Sequence, residues 1–340
     1  MKRLSYIILL VTLVALAGCT KKFLDINTDP NNPTVGSLPQ LLISAEQGLA
    51  YDMGFTNDAR GARGLTEVLS VYMHQVTVRE SQDQYGATGT QFDINSAWTD
   101  FYTAGLVNDS KEYMGTLENL SVLIRQAQAG NNYIYAGIGR ILKVYGISQY
   151  VDAYADVPYS EANRFSVDGT RYPKFDKGQD IYPDLIKQLD SAITDLTATD
   201  GNSIVPGAAD DLFYGAIGGD AAGIASAWVK MANSLKLKLY NQIRLTTNVS
   251  AQVNELIAGG ELFSKLGDGF MMRYGKAPSP DDRNPGFSEY FATQKSHYPS
   301  PSFYEILKGY NPRIFTGIKD PRVPYYFFNQ NSKTDPSVGK

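Results

Sequence analysis

The chain has 340 residues, enough to bury a large core in one to three domains. Its 31 basic and 35 acidic residues give a net charge of −4, which excludes the basic footprint of a nucleic-acid-binding protein. Charged residues make up only 19%, whereas tyrosine occurs 23 times. Such a surface depends on tyrosine and neutral polar groups, which stack on and hydrogen-bond to ligands such as sugars.

Residues 1–18 have the pattern of a signal peptide. A positive start is followed by an apolar run that is too short to span a membrane. The run ends in Leu16-Ala17-Gly18-Cys19, which resembles a bacterial lipobox, and Cys19 is the only cysteine of the chain. Lipidation at Cys19 would anchor the protein to a membrane through several acyl chains. We therefore predict a signal peptide at 1–18, a lipid-anchored tether at 19–36 and one helical domain at 37–340.

Apolar periodicity predicts three helices in the first part of this domain, at about 37–55, 61–78 and 94–120. Ser37 is the expected N-cap of the first helix. His74 falls inside the second helix. The intervening residues 79–91 follow neither helical nor strand periodicity, so we expect an exposed loop there.

The chain is organised around residues 131–155, where apolar positions at helical spacing on two flanks predict a central, enclosed helix. Gly137, Gly139 and Gly146 each cost about 1 kcal/mol in a helix interior. We expect this helix to gain instead from close approach of its neighbours. Pro158 ends it, because proline disfavours the helical conformation of the preceding residue.

Further helices are expected after this turn. Asp176 is a candidate N-cap of the next helix, and Pro183 is expected to kink that helix or delay its start. Residues 200–220 form a Gly- and Ala-rich loop, and residues 224–243 form a strongly amphipathic helix. The residues expected to be buried between helix pairs are Trp98, Tyr145, Trp228 and Leu235.

Repeated antiparallel helix pairs predict a mainly all-α, tetratricopeptide-like scaffold with long irregular ligand-binding loops. Function is therefore expected on the loops and not on the periodic helices.

Two stretches resemble signatures of the SusD/RagB family of outer-membrane nutrient-binding lipoproteins. One is Asp156-Val157-Pro158-Tyr159-Ser160-Glu161-Ala162 after a tyrosine-rich helix, and the other is WVKMANSLKLKL at 228–239. The resemblance extends over nearly all of this chain but only about the first two-thirds of the family's fold. We therefore expect the chain to be incomplete at its C-terminus.

The resemblance implies a lipoprotein of the outer membrane, facing the cell surface, that captures oligosaccharides and delivers them to a SusC-like TonB-dependent transporter. Related proteins serve peptides and other nutrients, so the ligand class stays open. Lys21 and Lys22 follow Cys19 where surface-exported lipoproteins often carry acidic residues, which also leaves the orientation open. One alternative is a lipid-anchored helical-repeat scaffold that binds a protein partner, and another is a lipid-anchored glycoside hydrolase.

Catalytic motifs are absent from the sequence: it contains no zinc-binding His-Glu-x-x-His, nucleophile elbow or phosphate loop. Asp156 and Glu161 flank a turn and are interpreted as turn and cap residues, not as an acid/base pair. We expect no enzyme activity, no cofactor and no bound metal.

A sugar-capture site needs flat aromatic rings for the C–H face of the sugar and polar groups for its hydroxyl rim. Two aperiodic segments, 79–91 and 281–298, combine both. The candidate residues are Gln82, Asp83, Tyr85, Asn284, Tyr290, Phe291, His297 and Tyr298. Tyr85 and Tyr298 are expected to line the ligand surface, whereas the helical register of Trp98 with Tyr102 favours a core position.

Overall fold

The structure is a computed structural model. It describes residues 36–54, 64–77, 94–103, 105–107, 111–113, 115–216, 219–277, 279, 282–292 and 298–327. In 94–96, 105–107, 111–113, 289–292 and 325–326 only the backbone is described.

Helices dominate the described residues, which confirms the predicted all-α class. The helices are α1 Leu38–Met53, α2 Leu65–Tyr72, α3 Ile94–Tyr102, α4 Thr116–Ala129, α5 Tyr133–Tyr154, α6 Phe165–Asp168, α7 Gly178–Leu196, α8 Ala221–Ile243, α9 Ser250–Gly259, α10 Pro285–Ala292, α11 Pro301–Lys308 and α12 Val323–Tyr326, with a 3₁₀ turn at Leu266–Asp268. The strands form two short antiparallel pairs, β1 Gly105–Val107 with β2 Lys111–Tyr113, and β3 Val157–Pro158 with β4 Phe175–Asp176. No helix of the described part of the chain is long and apolar enough to cross a membrane.

Helix α5 is the central element, as predicted, and most of its residues are buried. Its glycines allow neighbouring helices to approach closely. A Cβ at Gly137 would lie 2.8 Å from Cγ of Leu196 on α7, and one at Gly146 would lie 2.8 Å from Cε2 of Phe101 on α3. Real Cβ atoms essentially never come this close to a neighbour, so packing compensates for the low helix propensity of glycine.

The first helix begins where its cap predicts. Ser37 Oγ accepts from Gln40 N at 3.4 Å and Gln40 Oε1 accepts from Ser37 N at 3.1 Å, which together form a capping box. The second helix is shorter than predicted and ends at Tyr72. His74 lies in a turn with φ of 55°, a left-handed conformation that a right-handed helix cannot contain.

The single helix predicted over 94–120 is wrong. The structure has α3, the β1–β2 hairpin and α4 there. Gly105 begins β1 and Gly115 precedes α4, and glycine is a poor helix former at both places. A Cβ at Gly115 would also lie 2.6 Å from the carbonyl oxygen of Thr103, so this close backbone contact requires glycine.

Helix α7 begins at Gly178 and contains Pro183, so its start is not delayed. Asp176 does not cap it, because Asp176 lies in β4 and its carboxylate accepts from Ser160 N at 2.7 Å. Asp156 instead accepts from Gly178 N at 3.2 Å, in the first turn of α7. The predicted cap is wrong because a distant loop offered Asp176 better donors than its own helix did.

Helix α8 confirms the predicted amphipathic pattern, with Asp220 as N-cap accepting from Gly223 N at 2.9 Å. Trp228 and Leu235 are buried as predicted. Trp98 and Tyr145 are only half-buried and pack against the edge of the core, so their predicted burial is wrong in degree.

The loop between α7 and α8 carries a buried carboxyl cluster, formed by Glu46, Asp210 and Asp211. Asp211 accepts from Trp228 Nε1 at 2.8 Å and from Tyr214 N at 2.8 Å. Asp210 accepts from the hydroxyl group of Tyr135 on α5, and Glu46 on α1 accepts from Leu212 N at 2.7 Å. The predicted Gly- and Ala-rich loop is therefore fixed to α5 and α8 by its own carboxylates and to α1 by the backbone N–H of Leu212.

Candidate ligand-binding surface

The structure describes only some of the predicted site residues. Cys19, Gln82, Asp83, Tyr85 and His297 lie outside the described residues. Tyr290 and Phe291 lie on α10, where only the backbone is described. The two whose side chains are described are Asn284 and Tyr298.

Asn284 starts α10, a helix that the aperiodic reading of 281–298 missed. Its Oδ1 accepts from Phe287 N at 3.1 Å and its backbone oxygen accepts from Ser288 N at 2.9 Å. Asparagine as N-cap followed by proline at the first helical position is a recognised helix start, so the signal was present in Asn284-Pro285. The side-chain oxygen of Asn284 is therefore engaged within its own chain.

Tyr298 is 39% exposed, and its backbone pairs with the residues that follow α2. Its carbonyl oxygen accepts from Thr77 N at 2.9 Å, and Ser300 N donates to Gln75 O at 3.1 Å. A β-bridge between Val76 and Pro299 lies between these bonds. These contacts join the stretch after α2 to the stretch before α11, and Tyr298 lies at this junction.

A row of parallel aromatic rings, which we call the aromatic stack, reaches the surface between α3 and β4. The Trp98 ring lies 4.4 Å from Tyr102 at 23° and 5.9 Å from Phe175 at 9°. Phe175 is 63% exposed, so it is the outermost ring. Sequence periodicity found the pair on α3 but missed Phe175, since nothing local links residues that are so far apart in the chain.

The loop between α11 and α12 presents two more exposed aromatic rings, Tyr310 at 70% and Phe315 at 67%. The loop is internally bonded. Asn311 Oδ1 accepts from Arg313 N and Ile314 N, each at 2.9 Å, and Gly317 N donates to Gly309 O at 2.8 Å. Both rings therefore lie on a loop whose backbone is held in place by its own hydrogen bonds.

The turn after α5, residues 156–162, contains the first of the two family-like stretches; we call it the signature turn. Its acidic side chains have structural roles. Glu161 accepts from Lys174 N at 3.0 Å, and Asp156 binds Gly178 as described above, which confirms both as turn and cap residues. Although desolvation opposes it, the hydrogen bonds from Ser160 hold the pKa of Asp176 below its usual value. Within the described ranges, no group of three or more His, Cys, Asp or Glu side chains is arranged to hold a metal ion.

The described residues form a scaffold of packed helix pairs with exposed aromatic rings on its loops. The SusD-like family described as "starch-binding associating with outer membrane" matches residues 30–340. The chain therefore belongs to the SusD-like family.

Solved structures with a similar fold include a SusD/RagB family protein from Bacteroides thetaiotaomicron, with 21% identity and a TM-score of 0.58 over 82% of this chain and 53% of that chain. A chitin-binding protein has 22% identity and a TM-score of 0.55 over 82% and 54%, respectively. A SusD homologue from Bacteroides uniformis has 23% identity and a TM-score of 0.54 over 80% and 52%. This chain spans about half the length of these structures. Among curated proteins there is no match.

Proposed function

We propose that this chain is an outer-membrane nutrient-binding protein that captures oligosaccharides without chemical conversion. The observation that carries the proposal is the match of residues 30–340 to a family described as starch-binding and associated with the outer membrane. The exposed rings of Phe175, Tyr298 and Tyr310 support it, because such rings stack on the C–H faces of sugars. A site built from stacking and neutral hydrogen bonds binds weakly enough to release its ligand to a second protein.

That second protein is, in this proposal, a SusC-like TonB-dependent transporter in the same membrane. The resemblance of the two signature stretches to the SusD/RagB family supports this partner. The family description supports a location at the outer membrane. The domain organisation belongs to the same proposal: a signal peptide at 1–18, a lipid-anchored tether at 19–36 and a helical domain at 37–340. Lipidation of Cys19 would hold the helical domain at the membrane surface.

The anchor is tested by the substitution Cys19→Ala. We expect the full-length variant to leave the detergent phase in detergent-phase partitioning or to stay unprocessed, because the thiol that carries the diacylglycerol is gone. Cys19 is the only cysteine, so the substitution disturbs no disulfide. Equal partitioning of wild type and variant into the detergent phase would contradict lipidation at Cys19.

Sugar binding is tested by calorimetry with maltoheptaose and chitohexaose. We expect Phe175→Ala, Tyr298→Ala and Tyr85→Ala each to weaken binding of one of these ligands by about two- to tenfold, the value of a lost aromatic contact of roughly 0.5–1.5 kcal/mol. Phe165→Ala is the matched control, because Phe165 is 59% exposed but belongs to no ring stack in the described residues.

Unchanged binding in all three variants, with unchanged melting temperatures, would place the site on other loops. If the wild type binds no sugar but binds a partner protein through its helices, the alternative function, an interaction scaffold, replaces this proposal. Release of reducing ends during the titration would instead indicate the glycoside hydrolase.

A further inference from the structure

A cavity of about 520 Å³ lies between α4, α5, α7 and the segment that follows the signature turn. This volume falls within the roughly 300–1,000 Å³ typical of ligand sites. One wall is apolar and includes Ile124, Val144, Ile181 and Leu185. The cavity is separate from the aromatic stack and from Tyr298, none of whose residues line it.

Lys143 of α5 lines this cavity and lacks a charged partner. Its ammonium group donates to Ser121 Oγ at 3.2 Å, and no carboxylate lies within 4.0 Å of it among the described residues. The arginines of the same cavity differ in this respect. Arg140 binds Asp195 at 3.0 Å and Gln188 at 2.7 Å, and Arg164 is paired with Asp168.

The surroundings of Lys143 favour a bound anion. Burial, reinforced by the charge of Arg125, lowers the pKa of the Lys143 ammonium to about 8. Glu118 and Asp184 oppose this shift but do not pair with the lysine. Asp184 already accepts the hydroxyl hydrogen of Tyr159, and Glu118 is bound by Arg125 at 3.4 Å. A partly buried cation without a counter-charge is costly, and an anionic ligand would remove that cost.

Asn163 adds a second, independent indication. It lines the same cavity, and its buried Oδ1 has no hydrogen-bond partner. Buried polar atoms are nearly always satisfied. Because this oxygen has less than 1 Å² of accessible surface, a rotation of the Asn163 side chain is needed before it can accept a hydrogen bond from a ligand in the cavity. Its backbone is left-handed, with φ of 56°, a conformation that asparagine tolerates better than most residues.

We propose that this cavity binds an acidic sugar, with Lys143 holding the carboxylate of a uronic acid residue and Asn163 accepting a sugar hydroxyl. The inference rests on the proposed capture of oligosaccharides and narrows it to ligands that contain uronic acids. The ring of Tyr159 also lines the cavity and would face the C–H surface of the sugar. Lys143 provides a charge-assisted hydrogen bond, which is stronger than a neutral one.

The test is calorimetry with trigalacturonate and its methyl ester, in which each carboxylate is replaced by an uncharged ester that carries one methyl group. At pH 6.5 we expect the full-length protein to bind the acid at least about tenfold more tightly than the ester, because hydrogen bonds to charged groups exceed neutral ones by about this factor. Lys143→Met should remove this preference. Asn163→Gly, which keeps the left-handed backbone accessible, should weaken both ligands. Lys236→Met is the control, because Lys236 is equally enclosed but is paired with Asp190.

A pH series separates charge recognition from a structural role. Affinity for the acid should be level from about pH 5 to pH 7, where the carboxylate and Lys143 are both charged, and should fall as the pH passes 8 and Lys143 loses its proton. Lys143→Arg should bind the acid with no such fall, because arginine stays charged. This variant decides the question even if Lys143→Met does not fold.

Equal binding of acid and ester by the wild type, or the same pH profile in wild type and Lys143→Arg, would overturn the acidic-sugar site. Maltoheptaose separates the two proposals. If it binds while trigalacturonate does not, capture of oligosaccharides stands and the Lys143 site is wrong. If none of trigalacturonate, maltoheptaose and chitohexaose binds, the proposed function itself fails.

Discussion

Asp211→Ala is expected to lower the free energy of unfolding by about 3 kcal/mol or more. The Asp211 carboxylate is buried and accepts from Phe213 N at 3.0 Å, Tyr214 N at 2.8 Å and Trp228 Nε1 at 2.8 Å. Alanine would leave all three donors buried without an acceptor, and each unsatisfied donor costs about 1–3 kcal/mol. Since domains are stable by only about 5–15 kcal/mol, this single change approaches the limit of folding.

Urea denaturation monitored by circular dichroism and by tryptophan fluorescence measures this loss. Asp220→Ala is a matched control, because Asp220 caps the same helix but is exposed, so its loss should cost only about 1 kcal/mol. Asp211→Asn should lie between the two, since its amide oxygen still accepts while its amino group would face the indole N–H or the backbone donors. If Asp211→Ala and Asp220→Ala lowered the free energy of unfolding equally, the buried acceptor would stabilise the fold no more than an exposed helix cap does.

Glu46→Gln is expected to change how stability depends on pH. Burial, followed by the nearby charge of Asp211, raises the pKa of Glu46 well above its ordinary value of 4.5. Asp210 and Asp211 are each held by several donors, whereas Glu46 Oε2 accepts only from Leu212 N and Oε1 has no partner. Burial also raises the pKa of Asp211, but the hydrogen bonds to its carboxylate oppose that shift. Glu46 is therefore the member of the buried carboxyl cluster whose ionised form has the weakest hydrogen-bond support.

The sign of the effect follows from proton binding. Between about pH 4.5 and the raised pKa, the folded protein retains a proton on Glu46 that the unfolded chain has released. Stability due to Glu46 consequently falls as the pH rises through this window. Glutamine keeps an acceptor for Leu212 N and cannot ionise, so the stability of Glu46→Gln relative to wild type should increase with pH from about 4.5 upward.

Melting temperatures of wild type and variant from pH 4 to pH 9 test this expectation, with the difference between the two curves as the readout. Other titrating groups cancel in that difference. Glu261→Gln serves as the control because Glu261 is exposed, and its difference curve should be flat. A flat curve for Glu46→Gln as well would mean that Glu46 ionises in the folded protein at no cost.

The candidate site depends on contacts between residues that are far apart in the sequence, which spacing alone does not predict. Trp98 and Tyr102 share one face of a helix, and this spacing predicts burial. Their surroundings depend on Phe175, whose exposed ring lies parallel to Trp98 and extends the aromatic stack to the surface. Asn163 is similar: the sequence shows an asparagine in a loop, and only the fold reveals that its oxygen lies unsatisfied in a cavity.

The sequence by itself determined the features that depend on neighbours within a helical turn or two. The capping box of Ser37, the amphipathic face of α8 and the length of α5 follow from spacing alone. The family could also be inferred from two contiguous stretches, since a contiguous motif can be recognised from the sequence alone.

Only the tertiary structure decided which of several equivalent partners each polar group takes. Asp176 could have capped α7, but the loop brings Ser160 N within 2.7 Å, and the hydrogen bond it offers is worth as much as a cap. Asp210, Asp211 and Lys143 look like ordinary surface charges in the sequence, and packing against distant helices encloses them. Burial changes the free energy of a charged group by more than any local propensity does, and burial is a property of the whole fold.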